Sequence, residues 1–393
     1  MLVKRLINIP ETDLNYASPH NGNTPLIYAA FEGFTTMVEE LLQYAPHRVN
    51  INAKNKKGTS ALAAAASNNH YRIVKLLCKH SDTYLNIVND NHCTPFYLAA
   101  SKGHIDIVNE LLKYYPEKID IMIPDINNNT PLHVACHGNH LSVVERLCKL
   151  SILDLNIPGN SGVPPIIIAI TNKHINIVKE LLSHNERINV NVCSPQGLAL
   201  IHLCINSNQF EIFQLLCAHP NIDLNIATKD NKLTPLALCV VREQILFIKE
   251  ILKYKDKLNL NCQDMYGNTP FYTAIANRNM QIFQLLCTIK GFDPNIKNRR
   301  GQFGLIFATI QGTLEYFDAM LKYYKRNKIP LNINAVDNDG NTALHWSMHL
   351  KDLAIMTRLH SEFNDLDSDI KNNKGLTPED LAPYHPPSRY DLI

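Results

Sequence analysis

Asn127-Asn128-Asn129-Thr130-Pro131-Leu132-His133-Val134-Ala135-Cys136-His137-Gly138-Asn139-His140 decides the fold, because near-copies of it recur along the whole chain. Thr-Pro followed by an apolar residue appears at Thr24-Pro25-Leu26, Thr94-Pro95-Phe96, Thr234-Pro235-Leu236 and Thr269-Pro270-Phe271, and Thr377-Pro378 carries Glu379 in third place. Degraded copies stand at Ser60-Ala61-Leu62, Pro164-Pro165-Ile166, Ala199-Leu200-Ile201, Phe303-Gly304-Leu305 and Thr342-Ala343-Leu344. Successive copies are 36, 34, 36, 34, 35, 35, 35, 34, 39 and 35 residues apart, so one structural unit has been copied about ten times.

Each unit has a physical reading. A Thr hydroxyl that can accept from the freed amides of the next turn, followed by Pro at the first helical position, starts a helix. That helix is short: from Pro95 it meets Gly103, which can take the left-handed cap geometry. A second helix carries Ile105, Ile107, Val108, Leu111 and Leu112 at helical spacing. An Asp/Asn-rich connection such as Asp154-Leu155-Asn156-Ile157 follows, and it ends in a turn like Tyr266-Gly267-Asn268. The expected fold class is an all-α repeat solenoid.

The run Gly-x-Thr-Pro-Leu-His-x-Ala-Ala, then Gly-His, then Ile-Val-x-x-Leu-Leu, then Asp-Leu-Asn, resembles the ankyrin repeat. The best matches are Thr130 to His140 and Ala99 to Val108. The resemblance implies helix-turn-helix units with hairpin-like loops, a protein-binding function through a concave face of loop tips and first-helix ends, and no chemistry of its own. Departures from the family pattern are informative. Most units are 34 to 36 residues long, and the glycine that normally ends the second helix is missing except at Gly291, so that helix is expected to run longer or end in a wider loop. Units also alternate: Leu77-Cys78, Leu147-Cys148, Leu216-Cys217 and Leu286-Cys287 recur at every second copy, which points to duplication in pairs.

Residues 1–385 are expected to form a single solenoid domain that opens on a half-repeat, Met1 to Leu6 with Asp13-Leu14-Asn15, and closes on a partial polar repeat from Gly375. Residues 386–393 read as a short tail. With 38 Lys/Arg against 36 Asp/Glu the charge is +2, and the basic residues are scattered, which argues against nucleic acid. The ten cysteines include no C-x-x-C pair; Cys136, Cys204 and Cys239 sit at alanine-like positions of first helices and Cys78, Cys148, Cys217 and Cys287 follow second-helix leucines, as in the core of a reduced, cytoplasmic protein. No apolar run reaches membrane length. A monomer with no cofactor and no membrane insertion is expected. Asn-, Ile- and Lys-rich wording resembles the ankyrin effectors that intracellular bacteria deliver into host cells.

Candidate chemistry is sparse. His345 and His349 have metal-ligand spacing on one helix, but Trp346 replaces the Glu of a zincin and His345 is the motif histidine, so no metal is expected. With 17 His and 10 Cys, adjacent pairs such as Cys136-His137 are expected by chance, and Trp346 reads as core. The expected function is a protein-interaction scaffold or adaptor, with an enzyme or regulatory subunit holding an unrecognised site as the alternative. Val241, Arg242, Met265, Tyr266, Arg299, Arg300 and Ile310 are the expected partner-binding residues, because exposed apolar, Tyr and Arg side chains dominate interfaces.

Overall fold

The computed structural model describes residues 5, 7–311 and 313–381; the tail expected at 386–393 lies outside them. Among the described residues, ten helix pairs follow one another. They are α1 (Pro25–Glu32) and α2 (Thr35–Tyr44), α3 (Ala61–Ser67) and α4 (Tyr71–Lys79), α5 (Pro95–Lys102) and α6 (Ile105–Leu112), α7 (Pro131–His137) and α8 (Leu141–Cys148), and α9 (Pro165–Thr171) and α10 (Ile175–Ser183). Then come α11 (Leu200–Asn206) and α12 (Phe210–Ala218), α13 (Pro235–Val241) and α14 (Ile245–Ile251), α15 (Pro270–Ala276) and α16 (Met280–Cys287), α17 (Gly304–Gln311) and α18 (Leu314–Asn327), and α19 (Ala343–His349) and α20 (Leu353–Glu362). The chain divides into two compact units, 1–195 with 219–221 and 196–218 with 222–393.

In each unit the odd-numbered helices stack on odd-numbered neighbours and the even-numbered on even-numbered, giving two layers. The first helices start as the motif predicts. Thr24, Thr94 and Thr234 Oγ1 accept from the N–H three residues on, at 3.3, 3.1 and 3.4 Å. The motif histidine completes the cap. The Thr130 N–H donates to His133 Nδ1 at 3.1 Å and the Thr342 N–H to His345 Nδ1 at 3.2 Å. This leaves Nε2–H to donate to the carbonyls of Val163 and Leu376, each at 3.2 Å, in the following repeat. A single imidazole thus caps its own helix and ties down its neighbour.

The core of the first unit is mostly aliphatic. Leu26, Phe96 and Leu132 of the first helices and Ile73, Val74, Ile107, Val108, Ile177 and Val178 of the second are all buried. The second unit is richer in rings: Phe271 packs on Phe283 and Phe292, and Tyr272 stacks on Phe307 at 5.2 Å. The Tyr272 hydroxyl lies 2.8 Å from the Pro294 carbonyl and 2.7 Å from that of Ile296, so this large side chain is buried without an unpaired oxygen.

The start and the long spacing are also explained. Arg48 donates to the carbonyls of Ile7, Pro10 and Thr12, as Arg187 does to Cys148, Leu150 and Leu153, so the first described residues end in the way a second helix does. The 39-residue spacing is absorbed by α18, which runs for 14 residues. Cys78, Cys148 and Cys217 are buried as expected; Cys287 is only partly so, since it lines an open hollow with Thr288, Ala319 and Arg326.

Candidate functional site

The loop tips of the second unit are built by one local device. Asp264 Oδ1 accepts from the N–H groups of Tyr266 and Asn268, both at 2.8 Å. Asn298 does the same for Arg300 and Gln302, at 3.0 Å each, and Asp337 for Asp339 and Asn341, at 3.0 and 2.9 Å. Successive tips are then zipped by backbone bonds: Met265 N–H to the Asn231 carbonyl, Arg299 to Tyr266, Asn338 to Arg300 and Asn373 to Asp339, all at 3.0 Å. Gly267 permits this approach, with φ +79 and no room for a Cβ, which would lie 2.8 Å from the Arg299 nitrogen. Tyr266 and Arg299 are therefore fixed side by side through the backbone, leaving their side chains outward.

Beneath these tips lies an open hollow of about 490 Å³, walled by Tyr266, Arg299, Arg300 and Gln302 and by Ala276, Asn277 and Gln311 at the first-helix ends. Phe307, held by its stack on Tyr272, lies at its apolar wall. Arg299, Arg300 and Gln302 also line a second hollow of about 400 Å³ with Asp337, Asn338, Asp339 and Trp346. Trp346 passes into a third, of about 400 Å³, with His349, Lys374 and Leu376. Shared walls make the three one groove.

Of the seven expected binding residues, the structure brings Tyr266, Arg299 and Arg300 together in this groove. Tyr266 is 63% exposed. Val241 and Arg242, at the end of α13, are exposed but do not line the groove, and Met265 is half-buried. Ile310 is a correction: it is 2% exposed, because α17 is buried along its whole length from Gly304 to Ile310 and sinks that residue into the core.

Trp346 is a second correction. It is half-buried, with Nε1 donating to Asp337 Oδ2 at 2.7 Å, so the ring stands in the groove wall. Its motif position gave no hint, since neighbouring repeats hold apolar residues there. His349 packs edge-on against it at 5.8 Å, and burial, then the Lys374 ammonium, hold the His349 imidazole below its ordinary value. Sequence reasoning also passed over Tyr28 and Phe34 in the first unit, which are 47% and 48% exposed.

The family model described as ankyrin repeats (3 copies) matches overlapping windows at residues 1–89, 46–125, 81–158, 98–192, 149–228, 201–298 and 277–372. The chain belongs to the ankyrin-repeat family. The ankyrin array is 25% identical over 368 residues to the ankyrin repeat protein L371 of Acanthamoeba polyphaga mimivirus, covering 86% of this chain and 46% of that protein. It is 24% identical over 314 residues to the NAD-dependent deacetylase sir2B of Dictyostelium discoideum, covering 78% and 36%. Human Rabankyrin-5 is 26% identical over 167 residues, covering 42% and 14%. The chain spans less than half the length of these curated relatives. Ankyrin repeats are in general protein-interaction modules. Among the described residues, no helix is long and apolar enough to cross a membrane.

Proposed function

We propose that this ankyrin array is a non-catalytic adaptor, acting as a monomer in the cytoplasm or inside a host cell, that holds a partner protein in the groove of Tyr266, Arg299, Arg300 and Trp346. This reading treats residues 1–385 as one array. The observation that carries it is the pairing of a 63%-exposed Tyr266 with Arg299 on rigid, zipped loop tips above an apolar wall at Phe307. Aromatic and Arg side chains held in place give up little conformational entropy on binding and are the commonest interface anchors. The Tyr266 hollow is lined by amide, guanidinium, aromatic and alanine side chains, with no thiol, imidazole or carboxylate. The partner segment it fits carries an apolar side chain for Phe307 and Tyr266 beside a carboxylate for Arg299. Val241, Arg242 and Met265 extend the same face toward the preceding repeat.

The test is capture of a partner from eukaryotic lysate followed by affinity measurement with the Tyr266→Ala/Arg299→Ala variant. Each truncation of an interface anchor costs about 2 kcal/mol, so the pair is expected to weaken binding about a thousandfold with the melting temperature unchanged. Undiminished affinity would move the site off this groove.

A further inference from the structure

We propose that Cys148, Glu180 and His184 form a zinc-binding site in the first unit. The Cys148 Sγ, a carboxylate oxygen of Glu180 and a ring nitrogen of His184 lie within 4.8 Å of one another, the one such trio of potential ligands among the described residues. Cys148 is the last residue of α8, and Glu180 and His184 stand one turn apart at the end of α10, which packs on α8.

The array contains its own comparisons. At the equivalent place two repeats earlier stand Cys78, Glu110 and Tyr114; two repeats later stand Cys217, Glu250 and Tyr254. In those copies the carboxylate is already satisfied. Glu110 accepts from Lys113 at 2.6 Å and from the Tyr71 hydroxyl at 2.9 Å, and Glu250 accepts from Lys253 at 2.7 Å and from Gln214 at 3.0 Å. Their side chains are 3% and 8% exposed. In the middle copy the lysine is Ser183, the tyrosine that ends the trio is His184, and Tyr71 is matched by Leu141. Glu180 and His184 are each 23% exposed, so an ion can reach them. Three coordinated changes convert a sealed carboxylate into a partly exposed carboxylate and imidazole beside the buried Cys148 thiol.

The chemistry of the set favours zinc. Thiolate, imidazole and carboxylate suit a borderline cation with no redox chemistry, and three protein ligands leave a fourth position for water. His184 Nε2 and Glu180 Oε1 are 3.2 Å apart. Two ligands of one tetrahedral zinc stand about 3.3 Å apart when each bond is about 2.0 Å. The frame is fixed beforehand. Arg187 donates to the carbonyls of Cys148, Leu150 and Leu153 at 2.6, 2.8 and 2.7 Å, and its own N–H donates to the His184 carbonyl at 2.8 Å, pinning both ends of the trio. Zinc entry displaces the Cys148 thiol proton to solvent as the zinc–sulfur bond forms.

Titration of the reduced full chain with cobalt(II), as a coloured zinc substitute, tests the assignment. The expected result is a thiolate-to-cobalt charge-transfer band and tetrahedral d–d bands saturating at one equivalent and bleached by zinc. Cys148→Ser should abolish the charge-transfer band, and Ser183→Lys/His184→Tyr, which restores the residues of the neighbouring copies, should keep the fold while weakening binding by more than roughly a hundredfold. No charge-transfer band in the parent chain, or a band that survives both variants because cobalt sits on the exposed Cys193, would overturn it.

Discussion

Asn156 and Asn189 are joined across 33 residues: the Oδ1 of Asn156 accepts from the Asn189 N–H at 2.7 Å, while its Nδ2 donates to the Arg187 carbonyl at 2.7 Å. The same double bond is made by Asn52 to Tyr84 and Asp82, by Asn86 to Asp120 and Lys118, by Asn225 to Asn259 and Lys257, and by Asn334 to Asp367 and Asp365. Only a neutral amide offers a donor and an acceptor at the right separation to bridge a backbone N–H and a backbone C=O in the next repeat. Part of the asparagine richness that resembles effector composition is thus a structural ladder.

Asn156→Ala removes both bonds and is expected to destabilise the array by about 1–2 kcal/mol. Asn156→Asp keeps the acceptor but sets a carboxylate oxygen against the Arg187 carbonyl, so it should not rescue stability. Urea unfolding of the three proteins checks this; an Asp variant as stable as the parent would remove the donor from the account.

Gly103 caps α5 at φ +73, and a Cβ there would lie 2.4 Å from Nδ1 of His140, whose Nε2 lies 3.0 Å from the Ser101 carbonyl. Gly162 has φ +78 with nothing within 4 Å of a built Cβ. Gly162→Ala should therefore lose only the left-handed backbone preference, about 1 kcal/mol, whereas Gly103→Ala adds displacement of the imidazole and should lose about 3 kcal/mol. Equal losses in thermal or urea denaturation would mean that His140 moves aside freely.

His202 is fully buried, its Nδ1 taking the Ala199 N–H at 3.3 Å and its Nε2 facing the Leu233 carbonyl without completing a hydrogen bond. Burial, only partly offset by that carbonyl, lowers its pKa to about 4. Because the folded value lies below the unfolded one of about 6.5, the unfolded chain binds the proton first, so stability is full above the unfolded value and falls as pH drops toward 4. The loss should reach about 3 kcal/mol. Denaturation midpoints measured between these pH values for the parent and for His202→Gln check it; the variant should show a shallower fall.

The repeat motif by itself determined the helix pairs, their order, the Thr-Pro caps and the family, because each depends on contacts within about one repeat length. The extra length near Leu314 was legible as spacing. The exposure of Tyr266, Arg299 and Arg300 was legible because a loop-tip position places a side chain outward whatever its neighbours do. Ile310 and Trp346 were misread because burial on a first helix depends on which face the adjoining repeat covers, and the apolar α17 is enclosed while Trp346 is drawn to Asp337. The trio of Cys148, Glu180 and His184 was invisible in the sequence for a related reason. Its members are separated by 32 and 4 residues with no fixed motif, and only the stacking of α10 on α8 brings sulfur, oxygen and nitrogen within reach of one ion. Local preference sets the elements of a solenoid; the register of neighbouring repeats decides which side chains meet.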